Sequence, residues 1–153
     1  IIVGCDCKWV VVDHLHMLVS ALAEGDERRA IDNIMTRLRS LVEETGAGLI
    51  LVSHLRRVDG NKGHENGVEV SLSHLRGSNS IGQLSDCVIA LERNQQSDDD
   101  LEARTTKLRI LKSRYTGDVG MATSLVYDKD SGRLTEYSDE ELMNNEEETL
   151  LSF

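Results

Sequence analysis

The chain alternates short apolar runs with longer amphipathic ones, and their order predicts its elements. Residues 9–13 (WVVVD) are a continuous apolar run closed by an acid, the pattern of a strand buried on both faces. Residues 14–25 read as a loop or short helix ending at Gly25. Asp26 caps a helix whose apolar residues Ile31, Ile34, Met35, Leu38, Leu41 and Val42 follow at i, i+3, i+4 spacing, so one face lies on a sheet. Gly46 and Gly48 end that helix. Residues 49–53 (LILVS) are a second buried strand. Strand, helix and strand together make a right-handed βαβ unit with parallel strands.

The second half is less periodic. Residues 55–70 are polar, with Gly60, Gly63 and Gly67, and read as a mobile loop. Ser71 caps a short helical segment through Leu75, residues 76–80 (RGSNS) turn, and 81–86 add a helical turn. A third strand is expected at 87–92 (CVIALE), a polar surface excursion at 94–104, and a half-exposed strand at 106–112 (TKLRILK). A turn at 115–120 leads to a hairpin of 123–128 and 133–137 around Lys129–Gly132. Residues 138–153 read as disordered.

Composition changes this picture in two places. Aromatic residues are only 3% of the 153, so the core must be aliphatic. The net charge of −10 argues against nucleic-acid binding through overall charge. That charge is uneven, however. Asp139, Glu140, Glu141, Glu146, Glu147 and Glu148 stand in the last sixteen residues with no base among them. The rest carries 21 acids against 17 bases, so the body is only mildly acidic. No apolar run approaches the roughly 20 residues of a membrane span. Three cysteines (Cys5, Cys7, Cys87) suit a reducing, cytoplasmic setting, and the lone Cys5-x-Cys7 pair is a weak zinc signal beside the plainer reading of neutral thiols.

Four constellations could carry chemistry, each with a plainer alternative. Asp13 closes a buried strand, where parallel sheets bind ligands and where nucleotide hydrolases hold magnesium; it could equally cap a loop. His54 lies just past the second buried strand and could hydrogen-bond a terminal phosphate, or simply begin a surface loop. In the stretch 74–86 (HLRGSNSIGQLSD), Gly77 among small polar residues offers backbone N–H groups to a phosphate and Arg76 adds charge; an ordinary turn has the same composition. Lys112 and Arg114, two apart at a strand end, point to one side and could reach a phosphate, or only solvent.

Taken in order, these segments resemble one family. WVVVDH (9–14), LILVSH (49–54), LRGSNSIGQLSDCVIALERNQQ (75–96) and LRILKSRYTGDVG (108–120) are similar to the helicase domain of phage replicative helicases. The likeness is greatest to the bifunctional primase–helicases of T7-like phages, within the hexameric DnaB-like group that includes the mitochondrial helicase Twinkle. His54 favours the phage branch, since bacterial replicative helicases usually carry Gln there. The resemblance implies an α/β fold: a RecA-like P-loop NTPase core, three-layered and mainly parallel, with a C-terminal antiparallel hairpin. Residues 1–137 would be the C-terminal part of that domain and 138–153 an acidic disordered tail.

The resemblance also assigns roles. Asp13 would order Mg2+ through water, and His54 would sense the γ-phosphate of ATP or dTTP. Gln83 would couple nucleotide state to DNA contact. Lys62 and the stretch Arg76, Gly77, Ser78, Asn79 and Ser80 would touch single-stranded DNA in a central channel. Lys112 and Arg114 would reach the neighbouring subunit's nucleotide in a homo-hexamer, with Arg114 as arginine finger. Arg93 and Tyr127 would sandwich the base, as a guanidinium plane and a phenol ring both can. The tail, ending in Phe153, would dock on the replicative DNA polymerase and compete with single-strand binding protein; its plainer reading is a solubilising tail. The implied activity is NTP-driven 5′ to 3′ translocation and duplex unwinding in the host-cell cytoplasm.

The chain also departs from the family pattern. It contains no GxxxxGK[ST] phosphate loop, and the family's catalytic Glu lies in the same missing region. Gly82 stands where close phage relatives commonly carry a basic residue. The expectation is therefore a part of a longer helicase, inactive alone. The alternatives are a non-catalytic remnant or split-gene subunit acting in trans, or another RecA-fold ATPase.

Overall fold

Helix α2 (Glu27–Thr45) forms where its periodicity and caps demand it. The Asp26 carboxylate accepts the N–H groups of Arg28 and Arg29, and Gly46 closes the helix in the left-handed conformation with its N–H on the Val42 carbonyl. Ile31, Ile34 and Met35 are buried on its inner face. This computed structural model describes residues 2, 4–22, 26–57 and 63–137, so Lys62, Phe153 and the acidic tail lie outside the described residues. The described residues divide into two compact units, one comprising residues up to 56 with 71–85 and the other residue 57 with 63–70 and 86–137.

In the first unit, β1 (Trp9–Val12) pairs in parallel with β2 (Gly48–Leu51), with Val10 opposite Leu49 and Val12 opposite Leu51. The expected βαβ unit is present, with an added helix α1 (Leu15–Leu22) where the sequence left loop and helix open. Leu15, Val19, Ile31, Ile34, Met35 and Ile81 form the aliphatic core, and Leu51 and Leu75 pack on it. One turn of 3-10 helix at Leu72–His74 and the short α3 (Ser80–Leu84) complete the unit. The strands are not buried on both faces as their unbroken apolar runs suggest. Trp9, Val11, Ile50 and Val52 are exposed, and the Trp9 ring lies over Gly48, where an added Cβ would meet it at 2.3 Å. Among the described residues, helices cover the opposite face, where Leu51 packs on the core.

The second unit is a four-stranded antiparallel sheet in the order β3 (Cys87–Glu92), β4 (Thr105–Ser113), β5 (Gly120–Tyr127), β6 (Leu134–Tyr137). The fold is α/β as expected, but among the described residues its antiparallel part is larger than the expected C-terminal hairpin and its parallel part is a single pair. The connection from β3 to β4 explains this. It holds only the short helix α4 (Asp100–Arg104), too little for a crossover, so the chain folds straight back. Residues 63–70, expected to be mobile, are tied to this sheet. Val70 is buried and donates its N–H to Glu92 Oε1 at 2.8 Å, and Gln95 N–H bonds the Glu65 carbonyl at 2.9 Å.

Candidate functional site

Parallel pairing puts Asp13 and His54 just beyond the carboxyl ends of two neighbouring strands. Backbone bonds lock the arrangement: Val52 N–H donates to the Val12 carbonyl at 2.9 Å, and Leu15 N–H to the Val52 carbonyl at 2.9 Å. Leu15 is fully buried, so the turn after Asp13 cannot drift. Asp13 itself is exposed, a hard oxygen donor of the kind magnesium takes from protein while keeping much of its water. The Asp13–His14 peptide is cis.

His54 stands among imidazoles that sequence reasoning did not single out. Its ring centroid is 3.9 Å from that of His14 and 5.3 Å from that of His16, the latter pair nearly parallel at 16°. Burial is the main cause that holds the pKa of His16 below its ordinary value, reinforced by the Arg76 guanidinium and by His54 and His14, and opposed by Glu27. The Glu27 carboxylate lies 3.8 Å from His16 Nε2 and 3.6 Å from Arg76 Nη2. A signal was available in the sequence: His14, His16 and His54 all follow strand ends that the parallel pairing makes adjacent.

The segment after His54 joins the stretch around Arg76 through backbone alone. Arg76 N–H donates to the His54 carbonyl at 3.0 Å, Arg56 N–H to the His74 carbonyl at 2.8 Å, and Leu55 bridges Leu75. Arg76, Gly77 and Asn79 are exposed. Ser78 differs: its hydroxyl is buried and donates to Asp32, so only its backbone is available to a phosphate. That bond is the main cause that draws the Asp32 pKa below the usual carboxylate value. Gly77 adopts φ +104°, and a Cβ there would sit 2.2 Å from Ile31 Cδ1. Its lack of a side chain therefore serves packing as well as backbone approach. Gln83 lies on α3 with its N–H on the Asn79 carbonyl at 3.0 Å.

The remaining predicted residues belong to the sheet unit. Lys112 stands opposite Val88 near the end of β4. Arg114, just past β4, donates its N–H to the Asp86 carbonyl at 2.8 Å, and its Nη1 lies 3.0 Å from Asp86 Oδ1. Arg93 follows β3, bonds the Ala103 carbonyl at 2.6 Å and lines an open groove of about 640 Å³ with Glu92, Asn94, Lys107 and Arg109. Tyr127 ends β5, two places away from β3 in the sheet order, so the sheet does not set Arg93 and Tyr127 side by side. Sequence reasoning missed Glu92. Strand alternation puts it on the buried face with Val88 and Ala90, where Arg109 Nε reaches its Oε1 at 3.1 Å and Arg109 Nη2 holds Glu69 at 2.8 Å. The hydrogen bond to Glu92 raises the Arg109 pKa.

A parallel strand pair with an acid and an imidazole beyond adjacent carboxyl ends is the arrangement of a RecA-like α/β core. The family model of the DnaB-like helicase C-terminal domain matches residues 4–136, and the chain belongs to that family. It is 44% identical over 131 residues to the DNA helicase/primase of Enterobacteria phage T3, covering 86% of this chain and 23% of that protein. A solved DnaB-like replicative helicase, described with its interactions with primase, superposes with a TM-score of 0.69 at 26% identity, covering 85% of this chain and 31% of that one. The chain thus spans under a third of the length of each. Among the described residues, no helix is long and apolar enough to cross a membrane.

Proposed function

We propose that the chain forms the C-terminal share of the motor of a replicative DNA helicase, which couples hydrolysis of ATP or dTTP to 5′ to 3′ translocation along single-stranded DNA in a homo-hexamer. One observation carries this reading. His54, beside Asp13 at the strand ends, is bonded through its own carbonyl to the N–H of Arg76. A change at His54 on loss of a terminal phosphate therefore has a one-bond route to the exposed cation that would meet the DNA backbone.

In this reading Asp13 orders Mg2+ through water, His54 senses the γ-phosphate, and Gln83 relays its state. Lys62, Arg76, Gly77 and Asn79 contact DNA phosphates, and Ser78 does so through its backbone. Arg93 and Tyr127 hold the base, with Arg93 facing a groove of suitable size. Lys112 and Arg114 act on the neighbour's nucleotide, so Arg114 must exchange its Asp86 carboxylate for a phosphate when the ring forms. The acidic tail, Phe153 included, docks on a basic patch of the replicative polymerase and competes with single-strand binding protein.

The phosphate loop must come from outside these 153 residues, and the upstream coding sequence should contain GxxxxGK[ST]. In the protein so extended, Arg114→Ala should cut DNA-stimulated hydrolysis by about 10³–10⁵ while nucleotide binding stays nearly intact. Wild-type turnover in that variant refutes the finger. Polymerase affinity measured with and without residues 138–153 tests the tail, and equal affinity ends the docking proposal.

A further inference from the structure

We propose that His14, His16 and His54 form a binding site for a borderline transition-metal ion, Zn2+ by chemical preference. One ligand nitrogen from each of the three can be chosen so that all lie within 4.8 Å of one another. The donor set is imidazole alone, which suits Zn2+, Ni2+ and Cu2+ and not the Mg2+ that an NTPase uses. The ions of the two sites are therefore chemically distinct.

Three further observations converge. First, His14 Nδ1, His16 Nδ1 and His16 Nε2 are buried and have no hydrogen-bond partner among the described residues. Buried polar atoms are almost always paired, and three orphans from two neighbouring side chains need an explanation. The Glu27 carboxylate, 3.8 Å from His16 Nε2, is too far to supply one. Second, the rings are gathered, with the His54 centroid 3.9 Å from that of His14 and 5.3 Å from that of His16. Third, the positions are rigid. His14 and His16 flank the fully buried Leu15, whose N–H is bonded to Val52, and His54 follows Val52 by two residues. Tetrahedral Zn–N bonds of about 2.0–2.1 Å need nitrogens roughly 3.4 Å apart, a contraction within reach of imidazole ring rotation. Three protein ligands leave a fourth position open, and Glu27 is placed to orient His16 as an outer partner. The site shares His54 with the nucleotide reading, but its test reads metal alone, so either can fail without the other.

The test uses the whole 153-residue chain, stripped of metal and titrated with Co2+ while the visible ligand-field bands are recorded, then displaced with Zn2+. The expected result is one saturable equivalent at a Kd of about 10 µM or tighter, with no thiolate charge-transfer band. His54→Asn, at an exposed position, and His16→Asn should each weaken binding by about 100-fold or more. The double variant Cys5→Ser/Cys7→Ser should bind as wild type. Circular dichroism confirms the fold of each variant, and His54→Asn decides alone if His16→Asn does not fold. Absence of saturable binding, undiminished affinity in the folded histidine variants, or loss only in the cysteine variant overturns the site.

Discussion

Replacing Arg109 by Met isolates the contact between Arg109 and the buried Glu92 carboxylate of the sheet unit. The Glu92 side chain is only 4% exposed and that of Arg109 is 22% exposed. In the wild type, Glu92 accepts from Arg109 Nε and from Val70 N–H. Met fills much the same volume but removes every donor, leaving a buried carboxylate with a single backbone partner. Removing one member of a buried pair costs about 3–5 kcal/mol, because the remaining charge stays desolvated. The partial exposure of Arg109 puts this case at the lower end, about 3 kcal/mol. Glu69 also loses its guanidinium, but its side chain is 74% exposed, and such contacts contribute at most about 1 kcal/mol. With a urea slope of about 2 kcal/mol/M, the unfolding midpoint should fall by about 1.5 M. The double variant Glu92→Met/Arg109→Met removes both charges and should recover most of that loss. A drop below about 1 kcal/mol in the single variant, or a double variant no more stable than the single, refutes the assignment of Glu92 as a buried charge dependent on Arg109.

Two further perturbations address the helix-bearing unit. Gly77→Ala imposes a Cβ at φ +104° and drives it toward the fully buried Ile31, so strain and overpacking together should cost about 2–4 kcal/mol. Thermal unfolding should shift down by about 6–12 °C, and a shift under about 2 °C would sink the packing account. The lowered pKa of His16 predicts a pH dependence. The unfolded chain binds the proton at the ordinary value of 6.5, the folded chain only at lower pH, so stability is full above about 6.5 and falls as pH drops below it. Glu27 opposes the effect, while Arg76, His14 and His54 add to it. Urea unfolding in EDTA between pH 7.5 and 5.5 should show a decline that His16→Asn lacks; parallel profiles would refute the buried neutral imidazole.

Local information carried the sequence a long way. The Asp26 cap, the i, i+3, i+4 stripe of α2 and its glycine stop are contained within one segment, so the helix was legible within about a residue of its observed start and end. The two apolar runs, the strand at 87–92 and the β5–β6 hairpin were legible for the same reason. The family resemblance, carried by contiguous motifs such as residues 75–96, agrees with the family match over residues 4–136.

What the sequence determined by itself is therefore what nearest neighbours along the chain decide: helix α2, the strands and the family. The tertiary structure decided which faces are covered and which distant residues meet. An apolar run cannot state that only one side of β1 and β2 is covered, and no local pattern announces that β4 turns back on β3. Ser78 meets Asp32 across 46 positions, Arg109 meets Glu69 across 40, and His54 comes to rest on His14 only because two strands pair in parallel register. Burial and desolvation act through space, so the charge state of His16, the dependence of Glu92 on Arg109 and the gathering of three imidazoles exist only once the chain has folded.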